Sequence, residues 1–163
     1  MNSNTPFRVL MVCTGNICRS PTAHGVLEKM VTHAGLQTSI QVDSAGTHSY
    51  HVGEAPDGRS QQHALRRGYD LSHQRARQLT AQDFDDFDLV LVMDSSNEIA
   101  ARKISTAAQQ LRLKRLTDFC KHFDEQQVPD PYYGGEHGFE HVLDLVEDAC
   151  QGLLEHIAAR QKP

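Results

Sequence analysis

Short apolar runs alternate with stretches of helical periodicity along the whole chain. Phe7 to Cys13 is apolar and Val-containing, is followed by Thr-Gly-Asn, and reads as a buried strand closed by a turn. After Pro21, apolar residues fall at Ala23, Val26, Leu27, Met30, Val31 and Ala34, a helical spacing that ends near Gly35. Thr38 to Ser44 reads as a second strand, and Asp57 as the cap of a short helix through about Arg67, closed by Gly68. Leu89 to Met93 is continuously apolar, as a strand covered on both faces would be. Ser95 and Glu98 have capping-box spacing for a following helix. Leu111 to Leu116 alternates apolar and basic residues, the pattern of an edge strand. From Phe139, the positions Val142, Leu143, Val146, Ala149, Cys150, Leu153 and Ile157 mark a long amphipathic helix. Four strands separated by helices predict an α/β fold with a parallel sheet wrapped by helices. Ligands bind beyond the carboxyl ends of such strands, which directs attention to the residues after Cys13, Ser44, Met93 and Leu116.

Composition narrows the classes. At 163 residues, with 39% apolar and 23% charged, the chain suits one domain over residues 1–163 and carries too little charge for disorder. No apolar run nears the roughly 20 residues that span a bilayer. Val9 to Cys13 is too short for a signal-peptide core and has no cleavage site behind it, so a cytoplasmic location without membrane insertion is expected. A net charge of −5 gives no whole-molecule attraction to nucleic acid. Four cysteines do not make a disulfide framework at this length. Charge is nevertheless segregated: five arginines and one acid lie between Arg59 and Arg77, and nine acids without a Lys or Arg between Asp124 and Glu155. The simplest reading is a basic flank and a solvated acidic helix, with the basic flank available to dock an anionic substrate.

The first strand runs into Cys13-Thr14-Gly15-Asn16-Ile17-Cys18-Arg19-Ser20, with Pro21 at the start of a helix. A loop between a strand's carboxyl end and a helix N-terminus aims several backbone N–H groups into one concavity, with the positive end of the helix dipole behind it. Gly15 and Asn16 tolerate the left-handed backbone that such a nest requires. Arg19 adds a planar fork matching two phosphate oxygens. Cys13 sits at the mouth, where the same donors favour thiolate over thiol. The spacing assembles an oxyanion site with a nucleophile at its floor, and without Gly-Lys-Ser/Thr it is not a Walker loop. A thiolate attacking phosphorus needs a general acid for the departing oxygen. Asp130-Pro131-Tyr132-Tyr133-Gly134-Gly135 supplies one, with Tyr132 and Tyr133 as walls of a slot for a flat ring. A buried strand cysteine and an ordinary surface turn are the alternatives for each segment alone; the two segments together favour chemistry.

These residues resemble the low-molecular-weight protein tyrosine phosphatases. Val12 to Pro21 looks like that family's signature loop and Asp130 to Tyr133 like its acid loop. Asp43-Ser44-Ala45-Gly46, the stretch from Val52-Gly53 to Pro56-Asp57, Leu71 to Arg77 and Met93 to Asn97 match as well. The resemblance implies a single flavodoxin-like domain of the phosphotyrosine phosphatase I-like kind, a four-stranded parallel sheet with helices on both faces. It implies that Cys13 attacks phosphorus to form a cysteinyl-phosphate, that Arg19 and the loop N–H groups hold the equatorial oxygens, and that Asp130 protonates the leaving phenolate and then activates water. By the same resemblance Ser20 bonds the Cys13 sulfur, Asn16, Ser44 and His73 hold the loop, and Asp94 orients Arg19. Thr14 stands where many members carry Leu and Tyr50 where some carry Trp, both at the pocket rim; Ile17 fits the tyrosine-directed members rather than phosphoarginine phosphatases, which tend to have Thr there. No metal or organic cofactor is implied. The implied partner is a phosphotyrosine-containing protein, a bacterial tyrosine kinase or its substrate being one such, and monomer and weak dimer are both left open.

Cys18 resembles the second loop cysteine with which members form a reversible disulfide to the nucleophile, while Cys120 and Cys150 read as buried and inert. His137 and His141, four apart, would suit one face of a metal site but lack a third ligand at convincing spacing; His48 and His51 flank Tyr50 at the rim. Thiol-dependent arsenate reduction on a similar fold would need two further cysteines near positions 80 to 90, and none lies between Cys18 and Cys120. A non-catalytic phosphate-binding module would have no need of Cys13, Arg19 and Asp130 together.

Overall fold

A computed structural model describes residues 5–132 and 135–161. Four parallel strands, β1 (Phe7–Cys13), β2 (Ile40–Gly46), β3 (Leu89–Val92) and β4 (Leu113–Arg115), form one sheet in the order β2-β1-β3-β4. The helices are α1 (Arg19–His33), α2 (Gly58–Arg66), α3 (Asp83–Asp86), α4 (Ser95–Lys103) and α5 (Glu136–Gln161). The chain leaves β1 toward β2 on one side and later returns to place β3 on the other. The carboxyl end of β1 therefore lies at the switch point, where the diverging connections open a crevice.

The central strands are apolar on both faces because both faces are covered. Val9, Met11, Leu89 and Leu91 pack with residues of α1 and α5, including Ala23, Val26, Leu27, Leu143, Val146 and Leu153. Leu10, Val12, Val90 and Val92 face a second cluster with Phe84, Phe87, Ala101 and Leu113. No helix among the described residues is long and apolar enough to cross a membrane.

Several boundaries move from the expected positions for physical reasons. β2 runs on to Gly46 because its ladder with β1 continues to the Cys13–Gly46 pair. α1 starts at Arg19, which puts Pro21 in the first turn, where a missing N–H costs nothing. β4 is only three residues long, bounded by 3₁₀ turns at Gln109–Arg112 and Leu116–Phe119. The expected Ser95/Glu98 box is instead Asp94/Asn97: the Asp94 carboxylate accepts the Asn97 N–H at 2.8 Å, and Glu98 turns outward to Arg102 and Arg115. Asp57 caps α2 as expected, and Gly68 ends it at φ 90°.

The charge segregation is largely internal. Arg67, just after α2, reaches Glu140, Asp144 and Glu147 on α5 at 2.6, 3.0 and 2.7 Å, and Tyr69 donates to Glu147 at 2.7 Å. The acidic helix is thus not simply solvated; its inner edge is the counter-surface of the basic segment. His63 adds a 2.5 Å bond to Glu140, and its ring stacks on Phe139.

Candidate active site

The loop after β1 turns through Asn16 at a left-handed φ of 58°; Gly15, the other residue expected to take that backbone, does not. Three hydrogen bonds hold Asn16 there. Asn16 Nδ2 donates to Ser20 Oγ at 2.8 Å and Ser44 Oγ at 2.9 Å, and Oδ1 accepts the Arg77 N–H at 3.0 Å. The Ser20 oxygen takes a hydrogen from Asn16, and its own hydrogen has two acceptors in reach, Cys13 Sγ at 3.1 Å and the Ala45 carbonyl at 3.4 Å, the sulfur being the nearer; the Ser20 N–H approaches the same sulfur at 3.4 Å. The sulfur therefore faces two donors at the start of α1. No side chain caps that helix and its first turn carries no acid, which leaves its N-terminal N–H groups to an anion. Gly46 seals the back of the loop: a Cβ there would lie 2.7 Å from the Thr14 carbonyl oxygen and 3.0 Å from the Asn16 nitrogen.

His73 does not join this network. Its side chain is largely exposed and lies 3.9 Å from Glu28. The neighbouring Gln74, buried, does the work: it accepts from Ser44 Oγ at 3.5 Å and donates to the Pro21 carbonyl at 3.0 Å, tying α1 to β2. Adjacent residues in an irregular segment point in different directions, and the sequence does not say which one points inward.

Arg19 is buried, and its guanidinium is aimed by partners from three segments. Nη1 donates to Asp94 Oδ2 at 2.6 Å and to the Val128 carbonyl at 3.0 Å; Nη2 donates to Thr14 Oγ1 at 3.4 Å and lies 3.7 Å from Asp130 Oδ2. Burial works against its charge, but Cys13 and the Asp94 carboxylate outweigh this and hold it above the ordinary arginine value. Asp94 thus caps α4 with one oxygen and orients Arg19 with the other. Thr14 is more than a rim residue, since its hydroxyl also accepts from Asn97 Nδ2 at 3.0 Å.

A pocket of about 250 Å³ opens above this floor, lined by Cys13, Thr14, Gly15, Ile17, Cys18, Arg19, Tyr50, His51, Asp130 and Tyr132. A larger hollow of about 500 Å³ beside β2 contains no nucleophile. The acid loop reaches the pocket because the Val128 N–H donates to the Met93 carbonyl at 2.7 Å, and the Tyr132 N–H donates to Asp130 Oδ1 at 3.0 Å. Tyr50 is 73% exposed and stacks on His48 at 5.1 Å, making a rim rather than a deep wall. Tyr133 lies outside the described residues. Cys18 is buried, and burial pushes its thiol up to about 12. Cys150 is buried as expected, whereas Cys120 is only partly so. His141 bonds Glu125 at 2.5 Å, and no group of three or more His, Cys, Asp or Glu suited to a metal occurs among the described residues.

Gln74, Asn97, the Val128 carbonyl and Arg77 were not foreseen as site residues. Gln74, Arg77 and Asn97 lie in stretches that resemble the family, and Asn97 also stands three after Asp94 at a strand-to-helix junction; the Val128 carbonyl had no signal.

A family model described as low molecular weight phosphotyrosine protein phosphatase matches residues 8–162. The chain is 43% identical over 151 residues to a low molecular weight protein-tyrosine-phosphatase of Streptomyces coelicolor, covering 91% of this chain and 92% of that one. It is 40% identical over 151 residues to the human low molecular weight phosphotyrosine protein phosphatase, covering 90% and 93%. Among solved structures, YfkJ from Bacillus subtilis superposes with a TM-score of 0.92 at 36% identity, covering 99% of this chain and all of that one. A protein tyrosine phosphatase from Entamoeba histolytica, with Hepes in its active site, gives 0.92 at 36%, covering 96% and 99%.

Proposed function

The chain belongs to the low molecular weight phosphotyrosine protein phosphatase family and is an enzyme that hydrolyses phosphotyrosine; we propose that it does so through a cysteinyl-phosphate on Cys13. The observation that carries this reading is the Cys13 sulfur at the pocket floor, facing the Ser20 hydroxyl and N–H, with Arg19 beside it and Asp130 at the rim. In the first step Sγ forms a bond to phosphorus as the phosphorus–oxygen bond to the tyrosine ring breaks, and Asp130 delivers its proton to the departing phenolate. Arg19 and the N-terminal N–H groups of α1 hold the three equatorial oxygens as charge spreads over them. In the second step water attacks phosphorus, Asp130 takes back a proton, and the phosphorus–sulfur bond breaks to release phosphate and the thiolate. Ile17 and Tyr132 supply apolar wall for a ring, with Tyr50 at the rim and Tyr133 as the further wall residue of the same reading. Thr14, Gly15, Asn16 and Cys18 complete the cradle, and Ser44 with Asp94 supports it.

The test is aryl-phosphate hydrolysis without added metal, with Cys13→Ser and Asp130→Ala alongside, and acid-quench trapping of labelled phosphate on Cys13. Loss of turnover in Cys13→Ser and a labelled cysteine in the parent protein are expected. A Cys13→Ser protein that still turned over would reject the covalent route.

The same reading carries three finer proposals. All four cysteines are free thiols, which suits a reducing, cytoplasmic setting for an enzyme whose nucleophile is a thiolate. Peroxide would convert Cys13 to a sulfenic acid, and the Cys18 thiol would condense with it, losing water to form a disulfide. Full thiol-dependent recovery of Cys18→Ser after peroxide would remove that proposal. The whole chain acts as one domain, a phosphotyrosine protein such as a bacterial tyrosine kinase or its target being the partner.

A further inference from the structure

We propose that Arg59 is a positioning residue for the acid loop: its guanidinium, stacked on both Phe139 of α5 and Tyr132, holds Asp130 over the phosphate loop. The inference rests on Asp130 being the general acid. Arg59 stands in the first turn of α2, and its fork is fixed by the residue that caps the helix. Asp57 accepts from Arg59 Nε at 3.2 Å and from Nη2 at 3.1 Å, as well as from the Arg59 N–H at 2.8 Å. Asp57 is in turn tied to the phosphate loop, its N–H donating to the Ile17 carbonyl at 2.8 Å. The guanidinium carbon lies 4.9 Å from the Phe139 ring centre and 5.3 Å from that of Tyr132. Both distances are within cation–π range.

The two rings differ in how they are held. Phe139 is buried with Ile17, Cys18 and Ala76 and stacks face to face on His63 at 5.4 Å, so it is an anchor. Tyr132 is 36% exposed, lines the pocket and is two residues from Asp130, to which its N–H donates. Arg59 therefore transmits the position of a fixed ring to the segment bearing the acid. The chain of contacts runs from Ile17 through Asp57, Arg59 and Tyr132 to Asp130, linking the phosphate loop to the acid loop by a route outside Arg19. That matters because the 3.7 Å approach of Arg19 to Asp130 competes with any phosphate that Arg19 binds. With phosphate in place, the Arg59 stack still holds the loop. Capture of an acidic substrate side chain is a poorer use of Arg59, since Asp57 already occupies its fork.

The experiment measures kcat/KM for aryl phosphates with leaving groups from nitrophenol to phenol, plus a phosphotyrosine peptide. It compares the parent protein with Arg59→Ala, Arg59→Lys, Asp130→Ala and the Arg59→Ala/Asp130→Ala double variant. Arg59→Ala is expected to lose about five- to tenfold on the phenyl and tyrosyl substrates, the scale of two partly exposed cation–π contacts, and about twofold or less on nitrophenyl phosphate, whose leaving group needs little protonation. Arg59→Lys, which keeps a cation, recovers part of the loss. Arg59→Ala costs nothing further in the Asp130→Ala background, because it acts through that carboxylate. An equal loss on every leaving group, no loss, or additivity with Asp130→Ala would overturn the inference while leaving the acid assignment standing. An Asp130→Ala variant without leaving-group dependence would instead remove the acid assignment itself, and this inference with it.

Discussion

Replacing Asn16 with Ala removes the side chain on which the phosphate loop turns. Three hydrogen bonds disappear from a site that is 2% exposed, to Ser20, Ser44 and the Arg77 N–H. At about 1 kcal/mol net each, they contribute about 3 kcal/mol. An alanine at φ 58° adds about 1 kcal/mol of backbone strain that asparagine partly avoids. The sum, about 4 kcal/mol, corresponds to a factor of about 10³ if it falls wholly on the bound geometry. The hydroxyls of Ser20 and Ser44 can find other partners as the loop relaxes, so a loss of about 10²- to 10³-fold in kcat/KM is expected, together with weakened inhibition by inorganic phosphate. Global stability, read from the urea midpoint, should fall by less, about 1–3 kcal/mol, because the loop can open while the sheet stays folded. Asn16→Gly separates the two contributions: it loses the same bonds but accepts the left-handed backbone, so it should exceed Asn16→Ala in activity by about fivefold. The reasoning is refuted if Asn16→Ala keeps kcat/KM and phosphate inhibition within about twofold of the parent, or if Asn16→Gly is the worse of the two.

Three other perturbations test separate parts of the structure. Gln74→Ala removes the bonds to Ser44 and Pro21 and should cost about 1–2 kcal/mol in denaturant unfolding, whereas His73→Ala, at an exposed side chain, should change it by less than about 0.5 kcal/mol; the reverse order would restore His73 to the network. Gly46→Ala drives a Cβ to 2.7 Å from a backbone oxygen that cannot move independently of the loop, so activity should fall with about 1–3 kcal/mol of stability, and unchanged kinetics would show the contact to be soft. Asp148 is buried on α5, and burial raises its carboxyl value, but N–H donors from Lys121, His122 and Phe123 outweigh this and hold it below the usual range. A depressed carboxylate contributes its stability fully above the unfolded value of about 3.9 and loses it as pH falls through the lower folded value. Asp148→Asn should therefore be less stable by about 1–3 kcal/mol at neutral pH, with the gap to the parent persisting to about pH 4 and closing only in stronger acid. A gap that closed between pH 5 and 7 would contradict the assignment.

Much of the phosphate loop was legible because its chemistry is local. Cys13, Gly15, Asn16, Arg19 and Ser20 lie within eight consecutive residues at a strand-to-helix junction, and a left-handed turn at Gly15 or Asn16 is expected there; the structure places it at Asn16. The apolar runs of β1 and β3 were equally plain, since strands buried on both faces have no room for polar residues. Boundaries set by pairing were harder. The last two residues of β2 extend the strand because β1 continues beside them, and β4 is short because its ladder with β3 runs only from Val90–Leu113 to Val92–Arg115.

Segments without periodicity hid the rest. His73 and Gln74 are neighbours in an irregular stretch, and only the packed structure decides that Gln74 faces Pro21 and Ser44 while His73 faces outward. The basic run at 59–77 and the acidic run at 124–155 look like two solvated faces until the fold brings Arg67 against Glu140, Asp144 and Glu147. The sequence by itself determined the Cys13-to-Ser20 loop with its arginine and the alternation of strands and helices, because each depends on residues close together in the chain. Tertiary structure alone decided much of what surrounds them: the Val128 carbonyl on Arg19, Gln74 behind the loop, and Arg59 against Tyr132. Those contacts join segments tens of residues apart, and their partners are chosen by where the sheet order places each strand end.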